Sequence, residues 1–201
     1  MSAPDLDYLD KIAEFIYSGE AEFDHAGHLK VYRLPHWDGG GTFEVAGIND
    51  KYNHDTAFTL VAMIEKGYYG MAKAACKQFY IEDTKGVLNY MGGIPSPAIE
   101  AFLRDTAFNR GMGGCARILQ TALGVKVDGS IGPKTKTAFA EYLSDKHEGG
   151  LLLLLRRARE SYERLVSPPV GDRAEAWQGL VHRWDNCLAF ATTLLQPESH
   201  A

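Results

Sequence analysis

The feature that most constrains this chain is how little of it is written for strands. One stretch alternates apolar and polar residues in the manner of a half-buried strand, Leu29-Lys30-Val31-Tyr32-Arg33-Leu34, and one short run answers it, Thr42-Phe43-Glu44-Val45. Between them lies Pro35-His36-Trp37-Asp38-Gly39-Gly40-Gly41, a turn-rich segment that predicts a hairpin connection. Elsewhere apolar residues recur three and four apart, the spacing of one buried helix face. The fold class expected is therefore mainly α, a helical bundle carrying one small β-hairpin.

Before the hairpin, Leu9, Ile12, Phe15 and Ile16 predict a helix that fades at Ser18-Gly19 and leaves Glu20 at its C-terminal end. After it, Asn53-His54-Asp55 supplies cap residues for a helix through Phe58, Val61, Ala62 and Ile64, stopped by Gly67. Met71 to Tyr80 reads as another helix with Ala74, Ala75 and Phe79 inward, and residues 81–96 are expected to be irregular. Ser96-Pro97 opens the next helix as N-cap and first helical position. Its buried stripe is Ile99, Phe102, Leu103 and Thr106, and Gly111 ends it. Met112-Gly113-Gly114 then bridges to a helix through Cys115, Ile118, Leu119 and Ala122, closed by Gly124. A turn over 127–133 leads into a helix carrying Thr137, Phe139 and Leu143. A long helix runs to about Val166, and a last one over 173–195 places Trp177, Leu180, Val181, Trp184 and Leu188 on one face. Two regions are expected, 1–95 and 96–201.

At 201 residues and 45% apolar composition the chain has enough material for a real core; a chain this long buries roughly 70% of its unfolded surface. The net charge of −5 divides into −7 over the first hundred residues and +2 over the rest. That balance opposes nucleic-acid binding, which needs a strong basic field. The strongest apolar run, Leu151 to Leu155, meets Arg156-Arg157 far short of the ~20 residues a membrane span requires. The first residues are acidic and lack a charged-then-apolar leader, so a soluble protein without a signal peptide is expected. Cys76, Cys115 and Cys187 are widely spaced and odd in number, which predicts reduced thiols packed on helices. Arg156, Arg157, Arg159 and Arg164 are expected to form a solvated helix face.

Several segments carry a resemblance. Phe15-Ile16-Tyr17-Ser18-Gly19-Glu20-Ala21-Glu22-Phe23 resembles the first motif of the glycoside hydrolase family 108 muramidases. That motif ends in Glu-Gly-Gly-Tyr: Glu20 falls on the catalytic Glu and Phe23 on the Tyr, with Ala21 and Glu22 where the glycines stand. Asp38-Gly39-Gly40-Gly41-Thr42 and Gly47-Ile48 are similar to the family's Asp-Pro-Gly-Gly-x-Thr and Gly-Ile, reached through an insertion that lengthens the hairpin. Residues 103–111 are similar to its Phe-Asp-x-x-Val-Asn-x-Gly, and Trp177 to Arg183 to its closing Gly-x-x-x-Arg. The tightest likeness is Ala116 to Val125 and Asp128 to Thr135, which resembles the predicted peptidoglycan-binding module of these proteins. The resemblance implies an α+β lysozyme-like fold whose hairpin forms one wall of a cleft. It also implies a glycosidase region over 1–95 and a wall-binding-like region over 96–201.

Glycoside hydrolysis needs a protonated carboxyl to assist the leaving oxygen, and usually a second carboxylate to activate water or stabilise the oxocarbenium-like transition state. Glu20 is the candidate acid, with Phe15, Tyr17 and Phe23 near it in sequence and Trp37 within reach from the ribbon tip. Asp38 is the first candidate for its partner, although a turn Asp also serves to fold its own loop. Glu44 and Glu22 are the alternatives. Alternation puts Thr42 and Glu44 on one side of the ribbon, and Thr42 is a candidate to hold water or sugar. Tyr80 and Asn109 match family positions and are candidate sugar contacts, though packing and helix-end capping explain them equally well. His25, His28 and His36, with Asp24 and Asp38, would suit zinc, but they lie in a loop and no His-Glu-x-x-His is present. No metal or cofactor is expected.

The resemblance thus implies an N-acetylmuramidase that cuts the MurNAc-GlcNAc bond of peptidoglycan. Two other readings stay open: a non-catalytic wall-binding protein, motivated by the altered Glu20-Ala21-Glu22-Phe23, and a wall amidase or other polysaccharide hydrolase. The expected partner is peptidoglycan, with an immunity protein and a holin or secretion system as further candidates. A chain made in the cytoplasm must reach the wall by non-classical delivery, in phage lysis or interbacterial killing. Neither nucleic-acid binding nor membrane insertion is expected.

Overall fold

The computed structural model describes residues 3–35, 41–144 and 147–195, with the backbone alone at 3–6, 172, 173, 175 and 176. The chain divides into two compact units, Met1–Glu82 and Asp83–Ala201, so that residues 83–95 belong with the second.

In the first unit, α1 (Ala3–Glu20) buries Ile12, Ala13, Ile16 and Tyr17, one stripe at helical spacing. The ribbon follows as β1 (Tyr32–Arg33), β2 (Phe43–Val45) and β3 (Ile48–Asn49), an antiparallel sheet in the order β1-β2-β3. Tyr32 stands opposite Glu44, Arg33 opposite Phe43, Glu44 opposite Asn49 and Val45 opposite Ile48. The expected hairpin is its first two strands. The third went unforeseen because it is two residues long, reached through a turn in which Ala46 (φ 50°) and Gly47 (φ 73°) both take positive φ. Burial of Val45 and Ile48 on the inner face holds that turn closed.

Helix α2 (His54–Glu65) buries Ala57 and Leu60, and Gly67 at φ 75° ends it as expected. In α3 (Tyr69–Asp83) the inward line is Ala72, Cys76 and Tyr80 rather than Ala74, Ala75 and Phe79. The stripe at i, i+4, i+8 that includes the large Tyr80 ring removes more surface from water than one built on two alanines.

The second unit opens with a short 3-10 helix, Lys85–Asn89, inside the stretch expected to be irregular. Helix α4 (Pro97–Ala122) begins as anticipated: Ser96 Oγ accepts from Ile99 N at 3.3 Å and Pro97 takes the first turn. The expected break at Gly111 is a kink (φ 64°, ψ 170°) and not a connecting loop. Gly113 and Gly114 are helical, and a Cβ on Gly114 would lie 3.2 Å from Tyr162 Oη, so the small residues there let the helix that carries Tyr162 approach closely. Helices α5 (Pro133–Ser144), α6 (Glu148–Val166) and α7 (Asp172–Thr192) complete the unit. Ile99, Phe102, Leu103, Ile118, Leu119, Phe139, Leu151, Leu152, Leu155 and Trp184 form its core. No described helix is long and apolar enough to cross a membrane.

A buried charge cluster joins the helices of this unit. Asp105 accepts from Arg159 at 2.6 Å and from Arg183 at 3.1 Å. Arg159 is therefore a core residue, which corrects the expectation of a solvated arginine face; Arg157 and Arg164 are exposed, and Arg156 bonds Glu160 and Asp185. Burial works to raise the Asp105 carboxyl, yet the two guanidinium groups hold it below its usual value. The three cysteines are free and buried, as expected.

Candidate active site

Glu20 is the last residue of α1 and is half-buried. Ala21 N still donates to Tyr17 O at 2.8 Å, so regular helix hydrogen bonding ends at the point where the candidate acid sits. The chain then folds back on itself: Phe23 bridges Leu29, and Lys30 N donates to Glu22 O at 3.0 Å. Asp24 nucleates this small loop by accepting from His28 N at 2.8 Å and Ala26 N at 2.9 Å. Those bonds, the one from His28 foremost, hold its carboxyl below the usual range. The His28 ring stacks on Tyr69 at 4.3 Å. The alternation that begins at Leu29 thus serves first to close this loop, which is why β1 is shorter than the sequence predicts. Phe23 meets Tyr17 edge-on at 6.2 Å, placing two of the four expected aromatic neighbours beside the end of α1.

Glu22 is exposed and pairs with Lys30 at 2.7 Å. Glu44 lies in the middle strand between buried Phe43 and Val45, half-exposed, flanked across the sheet by Tyr32 and Asn49. Thr42 is on the same face by alternation. Its hydroxyl donates to Asp50 Oδ2 at 2.6 Å and its N–H donates to Asp50 Oδ1 at 2.8 Å. The Thr42 hydroxyl bond, with the backbone N–H bonds behind it, holds the Asp50 carboxyl below its usual value. Asp50 is the residue that sequence reasoning missed. Its only local signal is a place beside Asn49 in a turn, whereas its role comes from folding back onto residues eight positions earlier. Asp38, with His36 and Trp37, lies outside the described residues. Asp50 anchors the backbone just after that tip.

Two candidates stand elsewhere. Tyr80 is wholly buried and its hydroxyl donates to Ala46 O at 2.8 Å, which braces the β2–β3 turn. That is a packing role, and no face of the ring is open to a sugar. Asn109 belongs to the second unit, where its amide donates to Asp105 O at 2.8 Å one helical turn back.

No protein-family model matches the chain, and no curated protein matches it. Among solved structures it is similar to "Structure of Brucella abortus SagA", with a TM-score of 0.62 at 18% identity, covering 95% of this chain and 97% of that one. At that identity the likeness shows the fold: mainly helical, with a small antiparallel sheet, in the manner of an α+β lysozyme-like protein.

Proposed function

We propose that this chain is a peptidoglycan hydrolase, an N-acetylmuramidase of the family 108 type with Glu20 as general acid. One observation carries the reading. Glu20 ends α1, half-buried, in the same unit as a sheet whose middle strand presents Glu44 and whose 35–41 connection carries Asp38. The half-buried end of α1 is where the family motif puts its catalytic Glu, and Glu20 takes that role here. Glu20 protonates the leaving glycosidic oxygen. Asp38, or Glu44 in its place, activates water or stabilises the oxocarbenium-like transition state. Glu22 is neutralised by Lys30 and takes no chemical part. The wall lies outside the cytoplasm, so the reading includes a holin or an export apparatus for delivery, and an immunity protein where the target is a neighbouring cell.

Digestion of purified wall followed by mass spectrometry of the products tests this. Reducing N-acetylmuramic ends are expected. Free peptides would make the protein an amidase, and absence of release would make it a wall binder.

A further inference from the structure

The small sheet of the first unit lines up an aromatic ring, a carboxylate and an amide on one face. Tyr32 stands opposite Glu44, and Glu44 stands opposite Asn49, so the row crosses β1, β2 and β3 at a single level. Residues directly opposite one another share a face, and two strand spacings make the row about 10 Å long. The other face is the core side, where Phe43, Val45 and Ile48 are buried. The row therefore looks away from the core: Tyr32 is 37% exposed, and Glu44 and Asn49 are half-buried.

Both ends of the row are held. Lys30 Nζ stands over the Tyr32 ring at 5.9 Å and is itself tied to Glu22 at 2.7 Å. Asn49 Oδ1 accepts from Tyr52 N at 3.0 Å, which fixes the amide and leaves Nδ2 as the group with hydrogens to give. Nδ2 makes no hydrogen bond among the described residues. The row also lies on the side of the candidate acid. Phe23 bridges Leu29 in antiparallel sense, and Lys30 N donates to Glu22 O. Going back from Glu22 to Glu20 and forward from Lys30 to Tyr32 therefore leads in the same direction.

We propose that Tyr32 and Asn49 are specificity-determining residues for the glycan, selecting a chain of 2-acetamido sugars over one that bears hydroxyls at the same carbon. This rests on the hydrolase function proposed above, while the selectivity comes from the row itself. The C–H bonds on one side of a pyranose ring are apolar and pack on the held tyrosine ring. The row is about as long as a disaccharide, so the neighbouring sugar brings its acetamido carbonyl to Asn49 Nδ2. Glu44, between the two, accepts from the sugar hydroxyls that pass over it. A hydroxyl in place of the acetamido group is too short to reach Nδ2, and binding loses that hydrogen bond. Tyr32 thus supplies affinity for any such chain, and Asn49 supplies the choice.

The test uses the full chain carrying Glu20→Gln, so that no bond is cut during the measurement. The β-1,4-linked tetramers of N-acetylglucosamine and of glucose, which differ only at carbon 2, are titrated by NMR and calorimetry. Saturable binding of the N-acetylglucosamine tetramer is expected, roughly tenfold tighter than that of the glucose tetramer. Tyr32→Ala, at an exposed strand position, should weaken both by a similar factor. Asn49→Asp keeps the oxygen that Tyr52 N needs and removes the two donor hydrogens. It should bring the two affinities to within about a factor of two, a ratio that a merely structural residue would not move. Should Asn49→Asp fail to fold, the Asn49 side-chain amide signal decides, since it should shift with the acetylated tetramer and not with the other. No saturable binding, equal affinity for the two tetramers, or indifference to Tyr32→Ala overturns the proposal. A wild-type chain that cuts no wall while its Glu20→Gln variant binds as described refutes the hydrolase reading and leaves the row a sugar site. One that cuts wall while the variant binds both tetramers alike refutes the row.

Discussion

The carboxylate of Asp50 occupies the place where a side chain on residue 41 would have to go. A Cβ on Gly41 would lie 2.0 Å from Asp50 Oδ1, at a backbone φ of 119° that L residues rarely adopt. The absence of a side chain at 41 is what lets Asp50 reach the N–H and hydroxyl of Thr42. Gly41→Ala should destabilise the first unit and depress wall hydrolysis. Asp50→Ala should lower hydrolysis by freeing Thr42 and the connection before it. The two changes should be non-additive, because the clash disappears with the carboxylate. A double-mutant cycle on melting temperature reads the coupling, and strict additivity would contradict this geometry.

Glu20→Gln preserves size and hydrogen bonding but has no acidic proton to give. Turbidity assays on purified wall should show a loss on the order of 10²-fold or more. The melting temperature should barely change, since the residue ends α1 and is only half-buried. Activity above a tenth of wild type would move the acid elsewhere.

Tyr80→Phe deletes the hydrogen bond to Ala46 O without opening a cavity. A loss of about 1 kcal/mol in unfolding free energy is expected, with the Michaelis constant for wall fragments unchanged. A rise in that constant at unchanged stability would return Tyr80 to substrate binding.

Asp105 links the second unit to acid stability. Its carboxyl is depressed in the folded state, so its contribution is fully present above the unfolded value of about 3.9 and is lost as pH falls through the lower folded value. Chemical denaturation between pH 7 and 2 should show wild-type stability falling below about pH 4. Asp105→Asn should lack that part of the slope. Asp105→Ala, which leaves Arg159 and Arg183 buried without their anion, should cost about 3–5 kcal/mol at neutral pH.

Routing the chain to the periplasm with an added leader should lyse the host, and the same fusion with Glu20→Gln should not. The oxidising compartment should leave the fold intact. Burial pushes the Cys76 thiol up to about 12 and raises Cys115 and Cys187 as well, so no thiolate is offered for exchange. Thiol titration should find three reactive cysteines only after unfolding. Lysis by the Glu20→Gln fusion would show that toxicity owes nothing to glycosidic cleavage.

The sequence by itself determined what depends on neighbours along the chain. Ser96-Pro97 starts α4, Gly67 ends α2, apolar spacing places Glu20 at the end of α1, and the alternation around Tyr32 and Phe43 pairs the first two strands. Capping, backbone sterics and periodicity act over a few residues, so each leaves a local mark. Tertiary structure decided the rest. Which stripe of α3 turns inward, whether Arg159 meets solvent or Asp105, and whether Thr42 is claimed by Asp50 are contests between groups far apart in sequence. A third strand two residues long has no periodicity to read.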